Sequence, residues 1–254
     1  MTIINQNPQI MKKNNYVKGA IIVLALLISL SVFSQEYAKN WLIGDFGLMF
    51  DLDTVIVRKD YALYESRGMG IISNKYGNLM CYTDGFNIWN RNHTIMSNGQ
   101  NIIPLTNGAK RHESIIIPKP GSDSEYYAFT VNSHSTQEPS ILCYSIIDLE
   151  LDNGLGAVTV KAKKILDAPT NRLTAVYHNN GYDVWIITHK YNTNSYYAYL
   201  LSATGLNETP VVSSVGEILT SQSEIQLKAS PDGTKIASSN SNISSEVKFT
   251  LFNL

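Results

Sequence analysis

Apolar residues in the body of this chain come in short runs rich in Val, Ile, Tyr and Phe, and turn residues bound them. Examples are Ser114–Pro118 (SIIIP), Tyr126–Val131 (YYAFTV), Ile141–Ile147 (ILCYSII), Asp183–Thr188 (DVWIIT) and Tyr196–Leu201 (YYAYLL). Length, composition and punctuation together are those of β-strands. Several runs are apolar at consecutive positions. A sheet with one wet face alternates apolar and polar residues, so consecutive apolar positions require burial on both faces. That predicts sheets stacked face to face. No stretch of the body carries the 3.6-residue period of an amphipathic helix. The 24 Asn and 15 Tyr residues agree with strands joined by tight turns.

A loose repeat sharpens the expectation. Four segments share the order strand, Gly-containing turn, strand, link, strand, with turns at Gly77, Gly121, Gly181 and Gly233. They lie near residues 69–98, 112–165, 172–216 and 224–254. The turn glycines are spaced 44, 60 and 52 residues apart, close to the roughly 40–50 residues of a four-stranded propeller blade. Asn180-Gly181 suits a type I′ hairpin, and Pro231-Asp232-Gly233 a type I turn with a bulge. Together with Trp41–Val57, the repeats predict an all-β fold: a β-propeller forming an open arc of about four to five blades over residues 35–254. The fourth repeat shows three strands, Ile225–Ala229, Thr234–Ser239 and Val247–Asn253. Trp41–Asp51 is not expected to pair with it and close a ring. Ile225, Leu227, Phe249 and Leu251 are expected on an uncovered face.

Ser230–Ala237 (SPDGTKIA) resembles the hairpin of TolB-like propeller repeats. Asn40–Asp51, Gly77–Gly99, the SIIIPKPGS run ending at Ser122, His178–Gly205 and Pro210–Gly216 resemble, in this order, the N-terminal propeller of gliding-motility-associated surface proteins that carry type IX secretion sorting domains. The resemblance covers about residues 40–254. It implies a β-propeller and export, and supplies no catalytic residue. Members of that family continue into further blades, immunoglobulin-like modules and a sorting domain. On this likeness the chain is expected to be a truncated part of a larger protein.

The N-terminus carries a targeting signature. Ala20–Phe33 holds fourteen uncharged residues behind Lys12, Lys13 and Lys18. That is a positive n-region followed by an h-region of signal-peptide length, shorter than the roughly 20 residues that span a bilayer. Residues 1–34 are therefore expected to be a signal-peptide helix, with Met11 an alternative start and cleavage near Gln35. A membrane is expected only through this segment. The protein is expected to be extracellular or on the cell surface, or periplasmic if truncated. Export would permit a Cys81–Cys143 disulfide, but each cysteine sits in an apolar run where a buried free thiol is the simpler reading.

Charge narrows the function classes. Twenty Lys and Arg against 21 Asp and Glu leave a net charge of −1, which argues against nucleic acid as a partner. Two cysteines exclude a four-Cys zinc site. His178 and His189 flank one hairpin, but a register centred on Asn180-Gly181 sets His178 opposite Asp183 and His189 opposite Arg172. The two imidazoles are then about 20 Å apart, too far for one ion. His112 and Glu113 are neighbours on a strand and point to opposite faces. His93 and His134 complete the five histidines. Tyr82–Trp89 resembles the Asp-box of sialidase-type propellers with its glycine one place early, a structural turn. Glycosylation sequons stand at Asn92, Asn207 and Asn242. Neither a nucleophile elbow nor a phosphate-cradling loop is present. No catalytic, cofactor or metal residue is expected. The expected function is non-catalytic binding or adhesion, with a protein or carbohydrate ligand at the loops. The alternative is a secreted propeller hydrolase or lyase acting on polysaccharide.

Overall fold

The computed structural model describes residues 38–51, 53–63, 68–104, 112–132, 140–220, 226–241 and 247–253. The chain divides into the units Met1–Glu36 and Tyr37–Leu254, and every described residue lies in the second. The signal-peptide reading, His134 and Ile225 fall outside the described residues. Among the described residues no helix is long and apolar enough to cross a membrane.

The unit is all-β. Five antiparallel sheets follow one another along the chain. The first holds β1 (Asn40–Ile43), β2 (Phe46–Asp51) and β3 (Thr54–Arg58). The second holds β4 (Gly70–Ser73), β5 (Leu79–Thr83) and β6 (Ile88–Asn90). The third runs from β7 (His112–Pro118) through β8 (Glu125–Asn132) and β9 (Ile141–Asp148) to β10 (Ala157–Asp167). The fourth holds β11 (Pro169–Tyr177), β12 (Val184–Lys190) and β13 (Ser195–Ser202), with β14 (Gly205–Leu206) and β15 (Val211–Ser214) both paired to β13. The fifth holds β16 (Leu227–Ala229), β17 (Lys235–Ser241) and β18 (Val247–Asn253). A single turn at Leu151–Gly154 is the helix among them.

Consecutive sheets share apolar layers. Tyr127, Phe129, Leu142 and Tyr144 of the third sheet meet Leu173, Ile186, Tyr199 and Leu201 of the fourth. On the other face of the third sheet, Ile116, Tyr126 and Ala128 meet Cys81, Ile88 and Met96. Strand β8 thus sends odd-numbered side chains one way and even-numbered ones the other, into two cores. This is why YYAFTV is apolar without alternation: both faces of its sheet are covered. Tyr61, Tyr82 and Trp89 form the layer between the first two sheets, with Leu42 against it. Ile187, Tyr196, Leu227 and Ile236 join the last two. Fully burying a Leu, Ile, Phe or Met of these layers stabilises by about 1.5–3 kcal/mol. The first strand of each sheet lies beside the first strand of the next: β1 by β4, β4 by β7, β7 by β11 and β11 by β16. Among the described residues no strand of the first sheet pairs with one of the fifth, and no sheet is closed.

The turns that open the four repeats use one device. The N–H of Asn74, Lys119, His178 and Ser230 donates across the hairpin to Asn78, Glu125, Asp183 and Lys235 respectively. The residue three places on, Gly77, Ser122, Gly181 or Gly233, donates back to the same opening residue's carbonyl. A polar side chain holds each loop. Asn74 Oδ1 accepts from Tyr76 and Asn78, Ser122 Oγ from Ser124 and Glu125, Asn180 Oδ1 from Tyr182 and Asp183, and Asp232 Oδ1 from Thr234. Gly181 has φ +75° and Gly233 +69°, a conformation that favours glycine.

Two expectations are corrected. Asn180-Gly181 does not form a two-residue I′ turn: only Gly181 of the pair has positive φ, and its N–H closes a turn back to His178. The bond from His178 N–H to Asp183 nevertheless keeps the expected register. Leu227 is buried, at 2% exposure, because it packs on Ile187, Tyr196 and Ile236. Leu251 is exposed as expected, and the side chain of Phe249 lies outside the described ones. Among the described residues the more exposed apolar face belongs instead to the first sheet. Cross-strand partners Trp41 and Leu48, Ile43 and Phe46, Leu48 and Val57, and Phe50 and Val55 put seven apolar residues on one face. Trp41, Ile43, Phe50, Val55 and Val57 are all exposed.

Candidate functional site

The opposite face of the first sheet meets the second sheet and leaves a cleft of about 500 Å³. Asn40, Met49 and Arg58 reach it from β1, β2 and β3, Asn74, Gly77 and Asn78 from the β4–β5 turn, and Arg91, Asn92 and His93 from the turn after β6. Tyr61 also lines it. The ring of Tyr61 sits so close to β2 that a Cβ on Gly47 would lie 2.2 Å from its Cε2. Only glycine permits that approach. Asn40 ties the two sheets together, its Nδ2 donating to Ser73 Oγ at 3.0 Å and to the Gly77 carbonyl at 2.9 Å.

A chain of polar contacts runs along one wall. Arg58 grips Asp60 through its Nε and Nη2 edge, at 3.2 and 2.6 Å. The Arg58 hydrogen bond holds the Asp60 carboxyl below its ordinary range, and the same bond raises the guanidinium. His93 Nε2 stands 3.5 Å from Asp60 Oδ2, and His93 Nδ1 lies 3.1 Å from the Tyr82 hydroxyl. The hydroxyl also accepts the Ala62 N–H at 3.2 Å. It therefore links the Ala62 backbone to His93, whose other ring nitrogen stands toward Asp60. Burial pushes the Tyr82 phenol up to about 12, so it stays protonated. His93 is held at φ +60°, uncommon outside glycine, by bonds from Asn92 and Thr94 to Asn90 Oδ1. Strained backbone of this kind concentrates at functional sites.

The charge of Arg58 is met by Asp60, while Arg91 is exposed and donates to the Gly154 carbonyl. Around these stand the exposed amides of Asn78 and Asn92, each both donor and acceptor. Such a surface matches neighbouring hydroxyls better than it matches a multiply charged anion. His93 was legible in the sequence only as one of five histidines and as part of a sequon. Arg58, Asp60, Tyr61 and Tyr82 were not, since nothing in their spacing places them beside His93.

The remaining candidates have local roles. His178 Nδ1 accepts the Asn180 backbone N–H, and Asp183 Oδ2 accepts from Asn180 Nδ2, so Asn180 bonds the histidine through its backbone and the acid through its side chain. His189 is fully buried at the far end of that hairpin. Glu113 is partly buried on β7; burial raises its carboxyl pKa, and Lys228 opposes the shift. The side chain of His112 lies outside the described ones. Asp84 Oδ1 accepts from the N–H groups of Phe86 and Asn87, a turn-forming role for the Asp-box-like segment. Cys81 and Cys143 are free buried thiols, both pushed up to about 12 by burial. Among the described residues no three His, Cys, Asp or Glu side chains gather as metal ligands. No family model matches the chain, and no curated protein matches it.

Proposed function

We propose that this chain is a non-catalytic binding module: an open β-propeller arc of five blades, exported, and part of a larger surface protein of the gliding-motility-associated kind. The cleft between the first two sheets carries the reading, with its exposed amides, its arginines and the aromatic ring of Tyr61. It suits a neutral polyhydroxylated ligand, a carbohydrate. The arc is supported by the succession of first strands, each beside the next, which is how inner strands line a propeller axis. Export rests on the Lys-flanked Ala20–Phe33 run. Sequencing the N-terminus of protein recovered from its host should find it at or near Gln35; an intact residue 1 or 11 in the cytoplasm would overturn export.

A glycan array probed with the full chain tests the ligand. Binding should appear for some oligosaccharides and weaken at least tenfold in a protein carrying Asn78→Ala, Arg91→Ala and Asn92→Ala, with its melting temperature unchanged. No binding, or binding that the triple variant keeps, would sink the carbohydrate reading. A second reading, a secreted hydrolase or lyase acting on polysaccharide, draws on the Asp60–His93–Tyr82 chain. The buried, fully bonded hydroxyl of Tyr82 weighs against it. New chain ends released from a bound polysaccharide, lost on Asp60→Asn, would establish that reading instead.

A further inference from the structure

Between the fourth and fifth sheets lies a polar cluster unrelated to the cleft. Arg172 on β11 is 1% exposed and His189 on β12 is fully buried. The strands hold both in place, since Thr188 Oγ1 donates to the Arg172 carbonyl at 2.7 Å and Thr170 Oγ1 to the His189 carbonyl at 3.1 Å. Arg172 Nη1 donates to Ser238 Oγ at 2.7 Å, and Ser238 also bonds the Tyr196 phenol. The ring of Tyr196 stands edge-on to His189, with centroids 4.7 Å apart.

Donors are left over. Among the described residues Arg172 Nε and Nη2 have no acceptor, and neither ring nitrogen of His189 makes a well-formed hydrogen bond, although the Lys190 backbone lies close enough to raise the imidazole pKa. Burial draws the guanidinium down to about 10, so it remains charged at neutral pH. The His189 imidazole is lowered to about 4, by burial first and by Arg172 second, so it is neutral; Arg172 and His189 adjoin the cross-strand pair Leu173–Thr188 on neighbouring strands β11 and β12. An unpaired buried charge destabilises a fold by several kcal/mol, and buried donors without acceptors point to a bound water or ion. The free edge has a specific shape. Nε and Nη2 of Arg172 form the same two-donor fork with which Arg58 holds the Asp60 carboxylate.

We propose that Arg172 and His189 form an internal binding site for one small monovalent anion, a halide or a carboxylate of formate to acetate size. The guanidinium edge supplies the charge and two donors, and the imidazole supplies a third N–H. Near-complete burial of both side chains sets the size limit.

The test uses the full chain in gluconate, an anion too large for the enclosed site, replaced stepwise at constant ionic strength by chloride, bromide or formate. Wild-type protein should show a saturable rise in melting temperature of about 5 °C or more at 100-fold excess over Kd. Arg172→Met should lose the rise and His189→Phe should weaken the apparent affinity about tenfold. The halide and formate series separate the two kinds of anion. Bromide-soaked crystals should place an anomalous peak within hydrogen-bond distance of Arg172 Nε and Nη2; this arm needs no variant and stands even if Arg172→Met fails to fold. The same salt response in wild type and variants, or a site holding only water in bromide, would overturn the proposal.

Discussion

At the scale of single residues, burial decides which ionisable groups matter to stability. His189 is neutral in the fold because its surroundings are dry and Arg172 faces it from β11 while the phenol of Tyr196 faces it from β13. Its pKa is about 4 folded against an ordinary 6.5, so between those values the unfolded chain binds more protons. Stability contributed this way is complete above about pH 6.5 and is lost as pH falls toward 4. The whole contribution is roughly 3 kcal/mol. Urea midpoints measured from pH 4 to 7 should rise with pH in wild type and rise less in His189→Phe; equal slopes would contradict the assignment. Tyr82 offers a second check. Tyr82→Phe removes the acceptor of the Ala62 N–H and the hydrogen bond to His93 while keeping the stack on Trp89. A loss of about 1–2 kcal/mol is expected by denaturant unfolding.

At the scale of elements, close approach and edge protection separate one sheet from another. Gly47 lets the Tyr61 ring lie directly on β2, and Tyr61 is packed edge-on against Tyr82 and His93, so the ring has nowhere to retreat. Gly47→Ala should destabilise by more than about 2 kcal/mol and weaken any ligand of the cleft. A thermal melt and a binding titration on the same protein read both effects. The outer strand β10 is guarded differently. Its register with β9 shifts three times, Ala162 sits at φ +52°, and Lys161, Lys163 and Lys164 line it. Bulges and lysines are the usual means of keeping a sheet edge from recruiting another chain. Strand β3, the edge of the first sheet, reads TVIVR and pairs on one side only among the described residues.

At the scale of the whole unit, that contrast predicts association. The outward face of the first sheet carries seven apolar residues, and its edge is unguarded. Exposed apolar faces of this kind mark association surfaces, and a second copy offers a like face. Sedimentation of the full chain should show a concentration-dependent dimer, and Trp41→Glu combined with Val57→Glu should return it to monomer without lowering its melting temperature by more than a few degrees. A wild-type protein that stays monomeric at high concentration would refute this.

How far the sequence alone reached follows from the range of the forces involved. Strand runs and turns are local, set by β-branched and aromatic propensity and by Asn, Asp, Ser and Gly chemistry within six residues. Hence the four hairpins and the three strands of the last repeat could be read directly, and the consecutive apolar positions of β8 and β9 announced sheets covered on both faces. The register that sets His178 against Asp183 was legible for the same reason. Loop detail was not: a two-residue I′ turn and a longer turn closed by Gly181 begin from the same Asn-Gly. What lies against what is settled by packing between segments tens of residues apart. Only the tertiary structure brought Arg58, Asp60 and Tyr82 to His93, buried Leu227 and left Trp41, Ile43, Phe50, Val55 and Val57 exposed on one face of the first sheet. Only it enclosed Arg172 with His189, because a side chain's neighbours across a sheet layer leave no periodic trace in the chain that carries them.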